Sequence, residues 1–256
     1  QDWDYLTKLA PKDGSVQLQK ITTQMGVLVL AGPKSREVLQ KLTDTDLSND
    51  KFKWLTGKPI NVGYAQAEAL RVNFVGELGW ELHHPIEMQN YIFDELMKAG
   101  AEFDIKPFGI RAMDSMRLEK SYRLIPREMS IEYAALESGL DRFVKLDKEC
   151  DFVGKTALLD WQKRGFVNSF VTLEVHDVED ADARGSEGLY KDGELVGRAT
   201  SGGFGFRVNK SLALGLVQVA YGVEGTELEI EILGKRRRAT VISESAFDPD
   251  NAALRS

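Results

Sequence analysis

Apolar positions follow two regimes along the 256-residue chain, helical spacing mixed with short strand-like runs at first and strict alternation later. Val16–Ile21 and Met25–Leu30 read as strands. The second is a continuous apolar run through Val27, Leu28, Val29 and Leu30, the pattern of a strand covered on both faces. Ala31-Gly32-Pro33 breaks it. Pro33 then opens a helix over Lys34–Leu42, with Val38, Leu39 and Leu42 on one face. A polar stretch covers 43–58. Ile60–Ala65 and Ala69–Val75 read as neighbouring strands, followed by the turn Gly76-Glu77-Leu78-Gly79, whose glycines can take positive φ. Met88–Ala99 is an amphipathic helix with Tyr91, Ile92, Leu96 and Met97 inward and Gly100 as its C-cap. A second helix spans Phe108–Tyr122 and is stopped by Pro126. Leu136–Leu146 reads as a turn and strand, and Val153–Arg164 as a helix ended by Gly165.

From Asn168 onward the spacing predicts only strands: Ser169–Val175, Glu187–Lys191, Glu194–Thr200, Leu212–Val219, Glu227–Leu233 and Arg237–Ser243. Asp192-Gly193 between two of them is a hairpin signal. Leu228, Ile230 and Ile232 alternate with Glu227, Glu229 and Glu231, as in a half-buried strand. The fold class expected is therefore α+β. A mixed α/β part covers 1–165, and a small all-β part, a barrel or sandwich, begins at 166.

Composition adds limits. Hydrophobic residues make up 43% and charged residues 29%, ordinary values for a chain that can bury its own core. A net charge of -7 weighs against nucleic acid as a partner. No run approaches the ~18 apolar residues of a membrane helix, so no membrane association is expected. The start, Gln1-Asp2-Trp3-Asp4, has neither the basic nor the apolar region of a signal peptide and no initiator Met, which suggests a piece of a longer or processed chain. The single Cys150, between acids, reads as an incidental thiol. His83 and His84 are adjacent, so on a strand they point to opposite faces and do not share a metal ion. Lys235-Arg236-Arg237-Arg238 reads as a solvated turn after Gly234. Ser201-Gly202-Gly203-Phe204-Gly205 follows a strand and precedes no helix, so it reads as a loop and not as a dinucleotide fingerprint.

The chemistry-bearing stretch runs from Arg71 to Glu119. Glu81 leaves the glycine turn between large apolar residues, where a carboxylate can grip a planar, N–H-rich ring through paired hydrogen bonds. A solvent-facing strand acid is the plainer alternative. Glu77 and Glu81 form a carboxylate pair of unreadable separation across the turn.

Phe74-Val75-Gly76-Glu77-Leu78-Gly79-Trp80-Glu81-Leu82 is similar to the Tyr-x-Gly-Glu-x-Gly-x-Glu segment of the glycine-cleavage T-protein family of aminomethyltransferases. It is more similar still to the folate domain of dimethylglycine and sarcosine dehydrogenases. Gly26–Pro33, Ala112–Lys120, Phe143–Leu146, Asp151–Lys155 and Thr200–Gly203 fit the same subgroup in order. The resemblance spans essentially the whole chain. It implies a folate-binding body, here lacking its first part, with a C-terminal β-barrel domain over 166–256. It implies tetrahydrofolate as cofactor and Glu81 as the residue holding the pterin. Phe74, Leu82, His83, Tyr122 and Arg142 are implied as cavity wall. The family's catalytic Asp lies upstream of this sequence, so no catalytic residue is assigned and no metal is expected.

Four positions depart from the pattern. Met113 replaces the Arg of the T-protein's Arg-Asp-Ser, a loss shared by the dehydrogenases. Phe74 and Arg142 each stand where a Tyr is expected, and His83 stands where the subgroup often has Tyr. The function implied is one-carbon transfer from an N-methyl amine of the dimethylglycine or sarcosine type, giving 5,10-methylenetetrahydrofolate. A flavin dehydrogenase domain or subunit would carry FAD and oxidise the small-molecule methylamine, in the cytoplasm or the mitochondrial matrix. A stand-alone aminomethyltransferase or demethylase with another methyl donor, and a non-catalytic folate-binding relative, stay open.

Overall fold

Strand β1 (Met25–Ala31) forms one edge of an antiparallel sheet in the computed structural model, which describes residues 2–256. Its neighbours, in order, are β4 (Gly79–Pro85), β3 (Ala65–Leu70) and β2 (Gly57–Val62). β1 is covered on one face only. Leu30 is buried, whereas Val27 and Val29 are 46% and 43% exposed, so the apolar run is not a doubly covered strand. Gly63 at φ +60 turns β2 into β3, with Val62 opposite Ala65. That turn puts both strands several residues earlier than the sequence pattern suggests.

The covered face carries Leu30, Ile60, Ala67, Trp80 and Leu82. Helices α2 (Ser35–Gln40) and α3 (Gln89–Gly100) supply Val38, Leu39, Ile92 and Leu96 to the same core. Gly100 belongs to α3, where a Cβ would meet Ile105 at 2.7 Å. The N-terminal helix α1 (Asp2–Leu9) precedes a segment with no strand at Val16–Ile21, whose Val16, Leu18 and Ile21 are exposed. These elements belong to one compact unit, residues 1–73 and 78–106.

A second unit comprises 74–77 and 107–256. Helix α4 (Ile110–Glu119) is shorter than expected. It ends because Ser121 adopts φ +55: the Tyr122 amide donates to the Arg117 carbonyl at 3.0 Å and the Ser121 amide to Leu118 at 2.9 Å, a Schellman-type stop. Leu136–Leu146 forms turns and a one-turn helix at Asp141–Phe143 instead of a strand. Helix α5 (Lys155–Arg164) ends at Gly165, φ +86.

Six strands then close a barrel: β5 (Asn168–Val175), β6 (Gly188–Lys191), β7 (Glu194–Gly205), β8 (Lys210–Gln218), β9 (Glu227–Ile232) and β10 (Lys235–Ile242). Leu228, Ile230 and Ile232 fill its interior with Leu173, Leu189 and Val217. Asp192 and Gly193, both at positive φ, make the β6–β7 hairpin. Ser201–Gly205 is strand and not loop; a Cβ on Gly202 would lie 2.5 Å from the Ala183 carbonyl oxygen. The basic run 235–238 is likewise strand, and its arginines pair with Asp177, Asp180, Glu229 and Glu231. A short helix α6 (Ala252–Arg255) ends the chain. The fold is thus a mixed α/β body with a closed C-terminal β-barrel.

Candidate functional site

Three of the six residues singled out from sequence lie on β4 in the first unit. Alternation along the strand turns Trp80, Leu82 and His84 into the core and Glu81, His83 and Pro85 to the opposite face. Leu82 is fully buried and so is a core residue. His84 is equally buried, with its ring nitrogens 2.8 Å from the Leu82 carbonyl and from Gln89 Oε1. The two histidines do face apart.

Glu81 is half-buried. Its register partners on the same face are Val29 of β1 and Leu70 of β3, which put hydrocarbon on both sides of the carboxylate. His83 Nε2 approaches Glu81 Oε2 at 3.2 Å and orients it. His83 is flanked in turn by Val27 and Glu68. Beside it opens a groove of about 390 Å³ lined by Met25, Pro59, Asn61, Glu68, His83 and Pro85. A single oriented carboxylate on an apolar floor can bind a flat ring by stacking on aliphatic groups and accepting its N–H donors.

The other three belong to the second unit. Phe74 lies in the strap 74–77, and its ring stacks on Tyr122 with centroids 5.6 Å apart and planes at 28°. The Schellman stop of α4 is what presents Tyr122. Burial pushes the Tyr122 phenol above its ordinary range, while the positive charge of Arg142 pulls it down. Arg142 is exposed on the one-turn helix, 4.8 Å above the Phe143 ring.

The end of α4 holds charges that the sequence pattern does not reveal. Arg117 is fully buried and donates to Asp114 at 2.7 Å, the Tyr122 carbonyl at 3.0 Å and Ser201 Oγ at 2.8 Å, with Glu128 at 3.4 Å. Lys120 is buried too. Its ammonium donates to the carbonyls of Phe247 at 3.1 Å and Asp248 at 2.5 Å and to Asn251 Oδ1 at 3.0 Å. Burial pushes its pKa down, against the opposing pull of Asp248. Glu77, in the second unit, accepts from Arg207 at 2.7 Å. Arg111, on the exposed side of α4, takes no part in these contacts.

Two family domains match the chain in order: the GCVT N-terminal domain over residues 1–148 and the glycine cleavage T-protein C-terminal barrel domain over 168–248. The chain belongs to the glycine cleavage T-protein family. Within the wider family, the human mitochondrial dimethylglycine dehydrogenase is 41% identical over 244 residues, covering 95% of this chain and 28% of that protein. Mouse mitochondrial sarcosine dehydrogenase is 33% identical over 262 residues, 99% of this chain and 28% of that one. A Thermoanaerobacter (strain X514) aminomethyltransferase is 33% identical over 234 residues, 91% of this chain and 62% of its own length. The crystal structure of the glycine cleavage system aminomethyltransferase T from Bartonella henselae superimposes with a TM-score of 0.77 at 26% identity, covering 88% of this chain and 60% of that one. The chain therefore spans just over a quarter of the length of these dehydrogenases. Among the described residues no helix is long and apolar enough to cross a membrane.

Proposed function

We propose that this chain carries the tetrahydrofolate side of a one-carbon transfer whose donor is an N-methyl amine of the dimethylglycine or sarcosine type. The observation that carries the reading is Glu81: an acid flanked by Val29 and Leu70 and oriented by His83. A carboxylate so placed suits the adjacent N–H donors of a pterin edge. Bound tetrahydrofolate would supply the nucleophilic N5 that takes up the one-carbon unit as 5,10-methylenetetrahydrofolate. What the protein contributes is pose. Glu81 holds the ring edge and His83 keeps the carboxylate aimed, while the second unit offers on its own the stacked rings of Phe74 and Tyr122, with the charge of Arg142 acting on the Tyr122 phenol. Positioning a built-in nucleophile is the main requirement of such a reaction.

In this reading, residues 1–165 form the folate-binding domain and 166–256 the barrel domain. Identity is higher to the human dimethylglycine dehydrogenase, 41%, than to the Thermoanaerobacter aminomethyltransferase, 33%. That favours a dehydrogenase setting, with a flavin domain or subunit oxidising the amine and the mitochondrial matrix as the compartment. The test is calorimetric titration of tetrahydrofolate into the full-length protein and its Glu81→Ala variant. Losing a charged hydrogen bond costs roughly 1.5–3 kcal/mol, about a 10- to 100-fold weaker Kd. Wild-type protein that takes up no folate refutes the reading. Equal affinity in the variant refutes the role of Glu81.

A further inference from the structure

We propose that Arg207 is a positioning residue of the folate site, acting through the strap 74–77; this rests on the folate reading above. The strap is a run of bends between β3 and β4. One guanidinium grips it at more than one point. Arg207 Nη1 donates to Glu77 Oε1 at 2.7 Å, and Nη2 donates to the Val75 and Met116 carbonyls, each at 3.0 Å. Nε donates to Glu119 Oε2, and the Arg207 amide to Glu119 Oε1 at 2.7 Å. Its planar face lies 3.9 Å from the Phe247 ring centroid. Phe247 is itself fixed, since its amide donates to the Glu119 carbonyl at 2.9 Å and its carbonyl accepts from Lys120.

The consequence is geometric. Arg207 ties two points of the strap to the last turn of α4, the turn whose Schellman stop presents Tyr122. Phe74 is one residue from the bonded Val75, so the spacing of the Phe74–Tyr122 ring pair follows from where Arg207 holds the strap. Lys120 closes the other side: a Cβ on Gly76 would lie 2.4 Å from its Cγ, so the strap backbone rests on the lysine stem. A lysine at 207 would offer a point charge and could not span acceptors on the strap and the helix together.

The experiment combines Arg207→Met with Phe74→Ala in the full-length protein. Displacing an aromatic wall costs about 2- to 10-fold in affinity. Arg207→Met should weaken the tetrahydrofolate Kd by that factor in the Phe74 protein and by less than about 2-fold once Phe74 is already Ala. A purely structural role would give equal losses in both backgrounds, and that result overturns the proposal. Hydrogen exchange without ligand supplies the second reading: amides of 74–79 should exchange faster in Arg207→Met while the β5 and β8 amides keep their protection. Unchanged strap exchange also overturns it. If Arg207→Met fails to fold, Glu77→Gln takes its place, removing the charge that Nη1 grips and leaving the Glu119 contacts. Wild type that binds folate beside an unaffected Arg207→Met sinks this proposal alone. Wild type that binds none removes the site reading and this proposal with it.

Discussion

The Arg117–Glu128 knot offers the sharpest energetic test of the second unit. Both side chains are fully buried. Glu128 accepts from the Leu124 amide at 2.8 Å, Thr200 Oγ1 at 2.6 Å and Ser201 Oγ at 2.5 Å, while Arg117 stands 3.4 Å away as its countercharge. Arg117→Met keeps the length and the packing and removes the charge. Removing one partner of a buried pair costs about 3–5 kcal/mol. Here the lower end applies, because Glu128 keeps three donors. A loss of about 3 kcal/mol corresponds to a roughly 100-fold fall in amide protection when exchange reports opening of the unit. The assay is hydrogen exchange at β7 and β8, whose ladder amides report this unit by itself. Adding Glu128→Gln removes the stranded charge, so the double variant should recover at least about 1 kcal/mol of the loss. Protection unchanged by Arg117→Met refutes the argument, as does a double variant whose loss is the sum of the two single losses.

Gly76 sits at φ +76 with its missing Cβ pressed on Lys120. Gly76→Ala should therefore cost at least about 1–2 kcal/mol from the left-handed backbone alone, read by urea unfolding; a neutral result would mean the strap relaxes freely. Tyr122 gives an alkaline signature. Its phenol is raised above the ordinary 10.0 by burial, so above that pH the native state keeps a proton that the unfolded chain releases, and stability falls as pH rises. Tyr122→Phe should lack this part of the decline, and stability curves that remain parallel between the two proteins above pH 10 would contradict the assignment.

Much of the barrel is legible in sequence because its rules are local. Leu228, Ile230 and Ile232 alternate with glutamates and do fill the interior, and Asp192-Gly193 is the turn that its chemistry dictates. The errors arise where a partner decides. Val16–Ile21 has strand-like residues but no strand beside it to complete a ladder, so it stays irregular. Val27 and Val29 carry the apolar weight of a buried strand, yet β1 is an edge strand and they face outward. Ser201–Gly205 looks like a loop because glycine weakens any strand pattern. Gly202 is there because another backbone passes where its side chain would sit, a fact about Ala183 and not about the local sequence.

The candidate site divides along the same line. Alternation alone places Glu81 and His83 on the face opposite Leu82, and this much follows from the strand period. Residue by residue, the resemblance nominated Phe74 and Tyr122, but no local pattern states that their rings stack. Arg207 was invisible for a stronger reason. It follows a glycine-rich strand, and its partners Val75, Glu77, Met116 and Glu119 are 88 to 132 positions away in sequence. Nothing in periodicity or spacing links an arginine to a strap that distant. Its importance comes from valence: one planar cation matches two carboxylates and two carbonyls on separate segments. Candidate ligand contacts can thus be nominated by local pattern and resemblance, whereas the residue proposed to position them emerges only from the folded chain.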